Sequence, residues 1–183
     1  ITVVEGETVF EGAALVFIEE RADLGTAKFE QVDIDLEHIR PDLAEVLERR
    51  RQTLDEARPR AVERRRKAGQ RTARENIADL VDEDSFVEYG GLALAARRLT
   101  HSVEELIEQS PADGIILGLA TINGSLFSDK AARAGVAAYD YTVMAGTQGR
   151  TGHRKQDRFF ELCAELQLPL VLFAEGGGGR GSD

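Results

Sequence analysis

The chain carries Gly176-Gly177-Gly178-Gly179-Arg180 directly after an apolar run, Leu170-Val171-Leu172-Phe173-Ala174-Glu175. Glycine has no Cβ, so a substrate carbonyl can approach the backbone closely, and free φ lets successive N–H groups aim at one point. Paired N–H donors of this kind hold an oxygen on which negative charge develops, as in an enolate or a tetrahedral intermediate. A glycine run alone is more often a linker. The strand-like segment directly upstream moves the balance toward an anion-holding turn.

A second candidate is a run of cations: Arg58, Arg60, Arg64, Arg65, Arg66, Lys67, Arg71 and Arg74, with Glu63 as the lone acid among them. Such a run reads either as a solvated helix face or as an anion site, and arginine suits bidentate phosphate contacts. His153 and Lys155, just after Gly149 and Gly152, mark a helix start where an anion could meet exposed N–H groups. Cys163 sits on the apolar face of a predicted helix and reads as a core thiol. His101 and His153 have no partners at metal spacing, so no metal site is expected. Neither a nucleophile elbow nor a phosphate-binding Walker sequence is present.

The elements that must position these residues fall in three zones. Residues 1–20 alternate short apolar runs with Glu-Gly pairs, at Glu5-Gly6 and Glu11-Gly12, a strand–turn–strand pattern too short to bury a core. Residues 21–81 are strongly helical. Pro41 suits a first helical position, Leu43, Val46, Leu47 and Leu54 recur at helical spacing, and Thr72 with Glu75 forms a capping box. From Ser85 on, strands alternate with helices: a strand at 86–89, a helix after Ser102 and a strand at 115–122. Asn123-Gly124 predicts a tight hairpin into Ser125-Leu126-Phe127. Strand character returns over 136–144, a helix opens near Gly152 with Phe159, Leu162, Cys163 and Leu166 on one face, and Pro169 starts the strand before the glycines. The order is mixed α/β.

Composition fits a folded globular chain: of 183 residues, 42% are hydrophobic and 31% charged, with one cysteine and no Trp. The single cysteine suits a reducing, cytoplasmic setting. No apolar stretch approaches the roughly 20 residues that span a bilayer, so no membrane partner is expected. A net charge of -10 argues against broad nucleic-acid binding. Ile1-Thr2-Val3-Val4 shows neither an initiator Met nor a signal peptide and reads as an internal cut.

From Lys67 to Tyr89, with Arg74-Glu75-Asn76-Ile77 where Arg-Glu-Arg-Ile is usual, the chain resembles the opening segment of biotin-dependent carboxyltransferases. Three further blocks agree in order: Ala112-Asp113-Gly114 with Ile122-Asn123-Gly124, Tyr139 to Val143 with Ala145-Gly146-Thr147, and Gly152-His153 with Lys155. Leu168-Pro169-Leu170, the glycines and Arg180 close the likeness. It implies a partial crotonase-type ββα spiral over 63–183, reached through a helical linker, 21–62. Residues 1–20, with Gly6 to Val9, Gly12 and Leu15 to Ile18, resemble the closing half of a biotin-carrier domain. Together these resemble a single-chain multidomain acyl-CoA carboxylase.

The resemblance implies transfer of carboxyl from carboxybiotin to the α-carbon of an acyl-CoA through a thioester enolate. The family's glycine turn usually reads Ser-Gly-Gly-Ala-Arg. Alignment on Arg180 puts the enolate donors at Gly177 and Gly178, and Gly176 and Gly179 replace the usual Ser and Ala, so the pair is placed to within one residue. Charge assigns the CoA phosphates to Arg71 and Arg74, with Lys155 as helper. Biotin would sit on a carrier lysine outside the chain, and ATP with Mg or Mn at a biotin carboxylase domain, also outside. Partners implied are acyl-CoA, the carrier and carboxylase domains, and further copies of the chain, the family forming dimers and trimers of dimers. The biotin-side oxyanion hole would lie beyond residue 183. Two other readings stand beside this one: a CoA-dependent hydratase or isomerase of the same fold, which has no need of a carrier-like start, and a non-enzymatic module binding an acidic partner through the arginines.

Overall fold

The computed structural model describes residues 3–18, 35, 37–181 and 183. Two compact units divide the chain, Ile1–His38 and Ile39–Asp183.

In the first unit the Glu-Gly pairs make the expected turns. Val4 O accepts from Glu7 N–H and Phe10 O from Ala13 N–H, each at 3.0 Å. Gly6 and Gly12, third in each turn, have φ of 88° and 85°, the type II geometry that demands glycine there. The expected strands do not form across 3–18. A strand is held by its ladder partner, and Phe10, Phe17 and Ile18 stay exposed. The remaining residues of the expected carrier strands and much of the linker, 1–2, 19–34 and 36, lie outside the described residues, as does Ser182.

In the second unit the helical zone resolves into α1 (Pro41–Gln52), α2 (Pro59–Lys67) and α3 (Ala73–Leu80), with a 3-10 turn at Asp55–Ala57. Proline opens α1 and α2, where its missing N–H costs nothing. The capping box of α3 is complete: Glu75 N–H donates to Thr72 Oγ1 at 3.0 Å and Thr72 N–H to Glu75 Oε2 at 2.8 Å. Beyond it come β1 (Val87–Tyr89), α4 (Val103–Gln109), β2 (Ile115–Thr121), α5 (Asp129–Ala132), β3 (Arg133–Tyr139), α6 (Arg150–Glu165) and β4 (Leu170–Phe173).

The four strands form one sheet in the order β1-β2-β3-β4. The first two pairings are antiparallel and β3–β4 is parallel. Because side chains alternate across a strand, the sheet has two apolar faces. Ile116, Ala120, Val136 and Ala138 pack with Ala73 and Ile77 of α3; Ile115, Leu117, Ala137 and Tyr139 pack with Phe159 and Cys163 of α6. Gly118 and Gly135 make room on opposite faces. A Cβ at Gly118 would lie 2.5 Å from the Phe86 ring, and one at Gly135 would lie 2.5 Å from Cys163 Sγ.

Two expectations fail locally. The β2–β3 connection is not a two-residue hairpin: Asn123 has φ of 56° while Gly124 is not in the left-handed region, and a type I′ turn needs both. Gly124 N–H instead donates to Asp82 Oδ2 at 2.8 Å, and a wider loop carrying α5 returns the chain, so Ser125-Leu126-Phe127 is not a strand. The strand expected over 136–144 runs 133–139, because Asp140 Oδ1 accepts Thr142 N–H at 2.9 Å and bends the chain in an Asx turn. Among the described residues no helix is long and apolar enough to cross a membrane.

Candidate active site

The glycine turn follows β4 and is laced to the segment between β3 and α6. That segment makes a left-handed turn, with φ of 48°, 54° and 66° at Met144, Ala145 and Gly146, a conformation costly for the two non-glycine residues. It brings backbone against backbone: a Cβ on Gly146 would lie 2.5 Å from Glu175 O and 2.9 Å from Gly176 Cα, and one on Gly176 would collide with Gly146 O. Gly177 N–H donates to Ala145 O at 3.2 Å, Gln148 N–H to Gly178 O at 2.9 Å and Arg180 N–H to Gln148 O at 2.7 Å. Glycine is required at 146 and 176 by this approach.

Of the two N–H groups assigned from sequence, Gly177's is therefore paired with Ala145. Those of Gly178 and Gly179 have no hydrogen-bond partner among the described residues. Gly178 has φ of 84°, and a Cβ at either position would meet nothing within 4 Å. The backbone here is open to an incoming group.

Arg180 anchors the turn. Its side chain is 5% exposed and pairs at 2.7 Å with Asp113, which is fully buried; it also donates to Thr147 O at 2.8 Å. Asp113 Oδ2 in turn accepts Gly152 N–H at the start of α6. The anion expected at that helix start is thus the protein's own carboxylate, well placed against the helix dipole, with Asp183 accepting from Arg150 N–H at 3.1 Å beside it. Ala112 and Asp113 lie in a left-handed turn, φ 53° and 46°. Sequence reasoning gave Asp113 and Arg180 no role. The available signal was an aspartate beside Gly114 and an arginine after the glycines, whose pairing across 67 positions only the fold reveals.

Lys155 is not open to a ligand phosphate. Its ammonium is buried and donates to the carbonyls of Ala112 at 2.6 Å and Ile115 at 2.5 Å, holding the strained turn. Burial pulls its pKa down to about 8, opposed by the charges of Glu88 and Asp113 and assisted by Arg74. Arg74 is committed as well, bonding Glu88 with both terminal nitrogens at 3.0 and 3.2 Å and Thr53 O through Nε. Arg71 is 52% exposed and pairs with Asp79 at 3.0 Å. Arg74 and Lys155 thus share the field of Glu88, while Arg71 stands apart on the surface.

Others of the basic run follow the same rule. Arg58 pairs with Asp140 at 2.9 Å and Arg65 holds both oxygens of Glu175 at 2.8 and 2.7 Å, its guanidinium also 5.3 Å from the Tyr141 ring centre. Arg58, Arg65 and Arg74 are thus cement within the fold, while Arg60, Arg64, Arg66, Lys67 and Arg71 stay exposed. Cys163 is a buried core thiol whose pKa burial raises, unsuited to nucleophilic work. No His, Cys, Asp and Glu group able to hold a metal occurs among the described residues.

The structure is a mixed α/β sheet with a glycine turn at the exit of β4. Residues 64–181 match the carboxyl transferase domain family, and the chain belongs to it. The beta5 subunit of a biotin-dependent acetyl-/propionyl-CoA carboxylase of Mycobacterium tuberculosis (strain ATCC 25618 / H37Rv) is 36% identical over 80% of this chain and 25% of its own length. The methylmalonyl-CoA carboxyltransferase 12S subunit of Propionibacterium freudenreichii subsp. shermanii is 31% identical over 66% of this chain and 21% of its own. Among solved structures, a single-chain, multi-domain long-chain acyl-CoA carboxylase superposes with a TM-score of 0.76 at 60% identity, covering 80% of this chain and 15% of that one. The transcarboxylase 12S hexamer gives 0.62 at 28%, covering 76% and 25%. The crotonase-type α/β fold is shared with these carboxyltransferases. The chain spans about a quarter of the length of the curated relatives it matches.

Proposed function

We propose that this chain is the first part of the carboxyltransferase of a biotin-dependent acyl-CoA carboxylase, and that its glycine turn stabilises the enolate of an acyl-CoA thioester. The observation that carries this reading is the turn itself: two adjacent N–H groups, Gly178 and Gly179, unpaired among the described residues and open, on a backbone fixed from behind. A left-handed glycine between such groups lets them converge on one anion. When the α-proton leaves, charge moves onto the thioester oxygen, and donors already in place at about 2.7–3.1 Å stabilise it without reorganisation. In this reading Gly177 tethers the turn to Ala145, and the donor pair lies one residue beyond the pair that the resemblance implies. Arg180 and Asp113 hold the geometry; Arg74 and Lys155 are scaffold.

Biotin, when docked, supplies the carboxyl group. Among the described residues none is assigned to its ring, and its holder belongs to another part of the enzyme. Residues 1–20 are read as the closing half of the carrier domain, with biotin carboxylase, its ATP and Mg or Mn, elsewhere in a cytoplasmic multidomain enzyme that assembles with copies of itself. The carboxyltransferase part is read as 63–183 and the segment 21–62 as its helical linker, whose α1 and following turn lean on it through Arg49 to Leu92 O and Arg58 to Asp140.

The test is transfer of ¹⁴C from carboxybiotin to a panel of acyl-CoAs by the full-length protein. Labelled malonyl-type thioesters are expected; no label on any thioester overturns the reading.

A further inference from the structure

The glycine turn must hold its shape without side chains. Gly176 to Gly179 carry none, and glycine has more backbone freedom to lose than any other residue. The β3–β4 ladder ends at Phe173. The turn is therefore placed by its backbone bonds to Ala145 and Gln148 and by whatever fixes the residues on either side of it, Glu175 and Arg180. Arg180 is fixed by Asp113. Glu175 is fixed by Arg65.

Arg65 lies within α2, and its side chain is 8% exposed. A guanidinium has five N–H donors, and here all five are engaged. Nη1 and Nη2 each donate to one oxygen of Glu175, at 2.8 and 2.7 Å. Nη1 also donates to Gln70 Oε1, and Nε and Nη2 both donate to Arg71 O, at 3.1 and 2.8 Å. The Tyr141 ring covers the group, its centre 5.3 Å away. A planar fork held at every prong has one orientation, and the bidentate contact passes that orientation to the carboxylate. On the backbone side, Glu175 O lies 2.5 Å from where a Cβ on Gly146 would stand. The residue ahead of the first glycine is gripped by side chain and main chain alike.

We propose that Arg65 is a positioning residue for carboxyl transfer: acting through Glu175, its guanidinium sets where the glycine turn presents the N–H groups of Gly178 and Gly179. The inference rests on the functional reading above, in which Arg65 touches no reacting atom. A donor stabilises an enolate oxygen only when it stands about 2.7–3.1 Å away, and displacing a reacting group by about 1 Å costs on the order of 10²-fold in rate. Lysine at 65 keeps the charge but offers a point contact in place of the fork, so the substitution tests geometry and not charge. It also strands no buried carboxylate, since the Glu175 side chain is 34% exposed.

The test is a mutant cycle in the full-length protein. Arg65→Lys and Glu175→Gln each lower kcat for carboxyl transfer by about 10²-fold and leave KM for acyl-CoA unchanged, because the donors act on the enolate and not on the bound thioester. The double variant is no slower than the slower single, since two residues acting as a unit do not add. Glu175→Asp, which keeps the charge and shortens its reach, replaces Glu175→Gln if that variant does not fold. Unchanged kcat in the single variants, a loss carried by KM, or losses that multiply in the double variant overturns the proposal. Hydrogen exchange at the amides of Gln148, Gly177 and Arg180, which bond across the turn, separates this role from general stability. In Arg65→Lys it quickens about tenfold or more, the range of a charge-assisted hydrogen bond, while the β2–β3 ladder keeps its rates. No change at the three amides, or equal quickening throughout, overturns the proposal. A wild-type protein that transfers no carboxyl group defeats the functional reading instead, and exchange at the three amides then decides alone whether Arg65 fixes the turn.

Discussion

Gly178 and Gly179 look alike in sequence, yet the structure separates them. Gly178 has φ of 84° and Gly179 lies outside that region, so alanine at 178 is strained by about 1–2 kcal/mol while alanine at 179 fits. We expect Gly178→Ala to lower kcat by about 10²–10³, the effect of losing one oxyanion donor, and Gly179→Ala to retain most activity, both read by steady-state carboxyl transfer. Lys155 gives a pH signature. Its folded pKa of about 8 lies below the ordinary lysine value of 10.5, so between these values the unfolded chain binds the extra proton and stability rises with pH. Relative to Lys155→Met, the wild type gains about 3 kcal/mol from pH 8 to 10.5, measured by urea unfolding at each pH; no relative gain contradicts the assignment. The glycine run itself was legible because four consecutive glycines stand out in composition. That Lys155 holds two carbonyls was not, since a cation at a helix start reads the same whether it faces ligand or backbone.

At the scale of elements, the caps and the strand alternation carried the reading. Thr72 and Ser102 open α3 and α4 as their spacing requires. The two failures in the second unit share one cause: Asp82 draws Gly124 away from a tight hairpin, and Asp140 ends β3 early, each a local carboxylate contact that hydrophobic pattern does not encode. The buried Arg180–Asp113 pair joins the glycine turn, the strained 112–113 turn and the start of α6. Removing one partner from such a pair costs about 3–5 kcal/mol. Asp113→Asn is therefore expected to lose that much stability in urea unfolding and to free the glycine turn, lowering kcat more than it raises KM. A loss below 1 kcal/mol contradicts the anchoring role.

Across the whole molecule, the basic run changed meaning most. As sequence it was one patch; folded, Arg58, Arg65 and Arg74 reach Asp140, Glu175 and Glu88 at the sheet, while Arg66, Lys67 and Arg71 pair with carboxylates of α2 and α3 at the surface. Helical periodicity cannot foresee which carboxylates, as far as 110 positions away for Arg65 and Glu175, will meet each arginine. The order of blocks along the chain, by contrast, was legible throughout, because a carboxyltransferase keeps its glycine turn, its Gly-Thr loop and its helix start in sequence. The central claim is that these parts present Gly178 and Gly179 to a thioester enolate. The most direct measurement is ¹⁴C transfer from carboxybiotin to saturating acyl-CoA by the full-length protein and its Gly178→Ala variant. The wild type is predicted to label the thioester, and the variant to do so 10²–10³ times more slowly at similar KM. Equal rates from the two proteins, or no labelled thioester from the wild type, would contradict it.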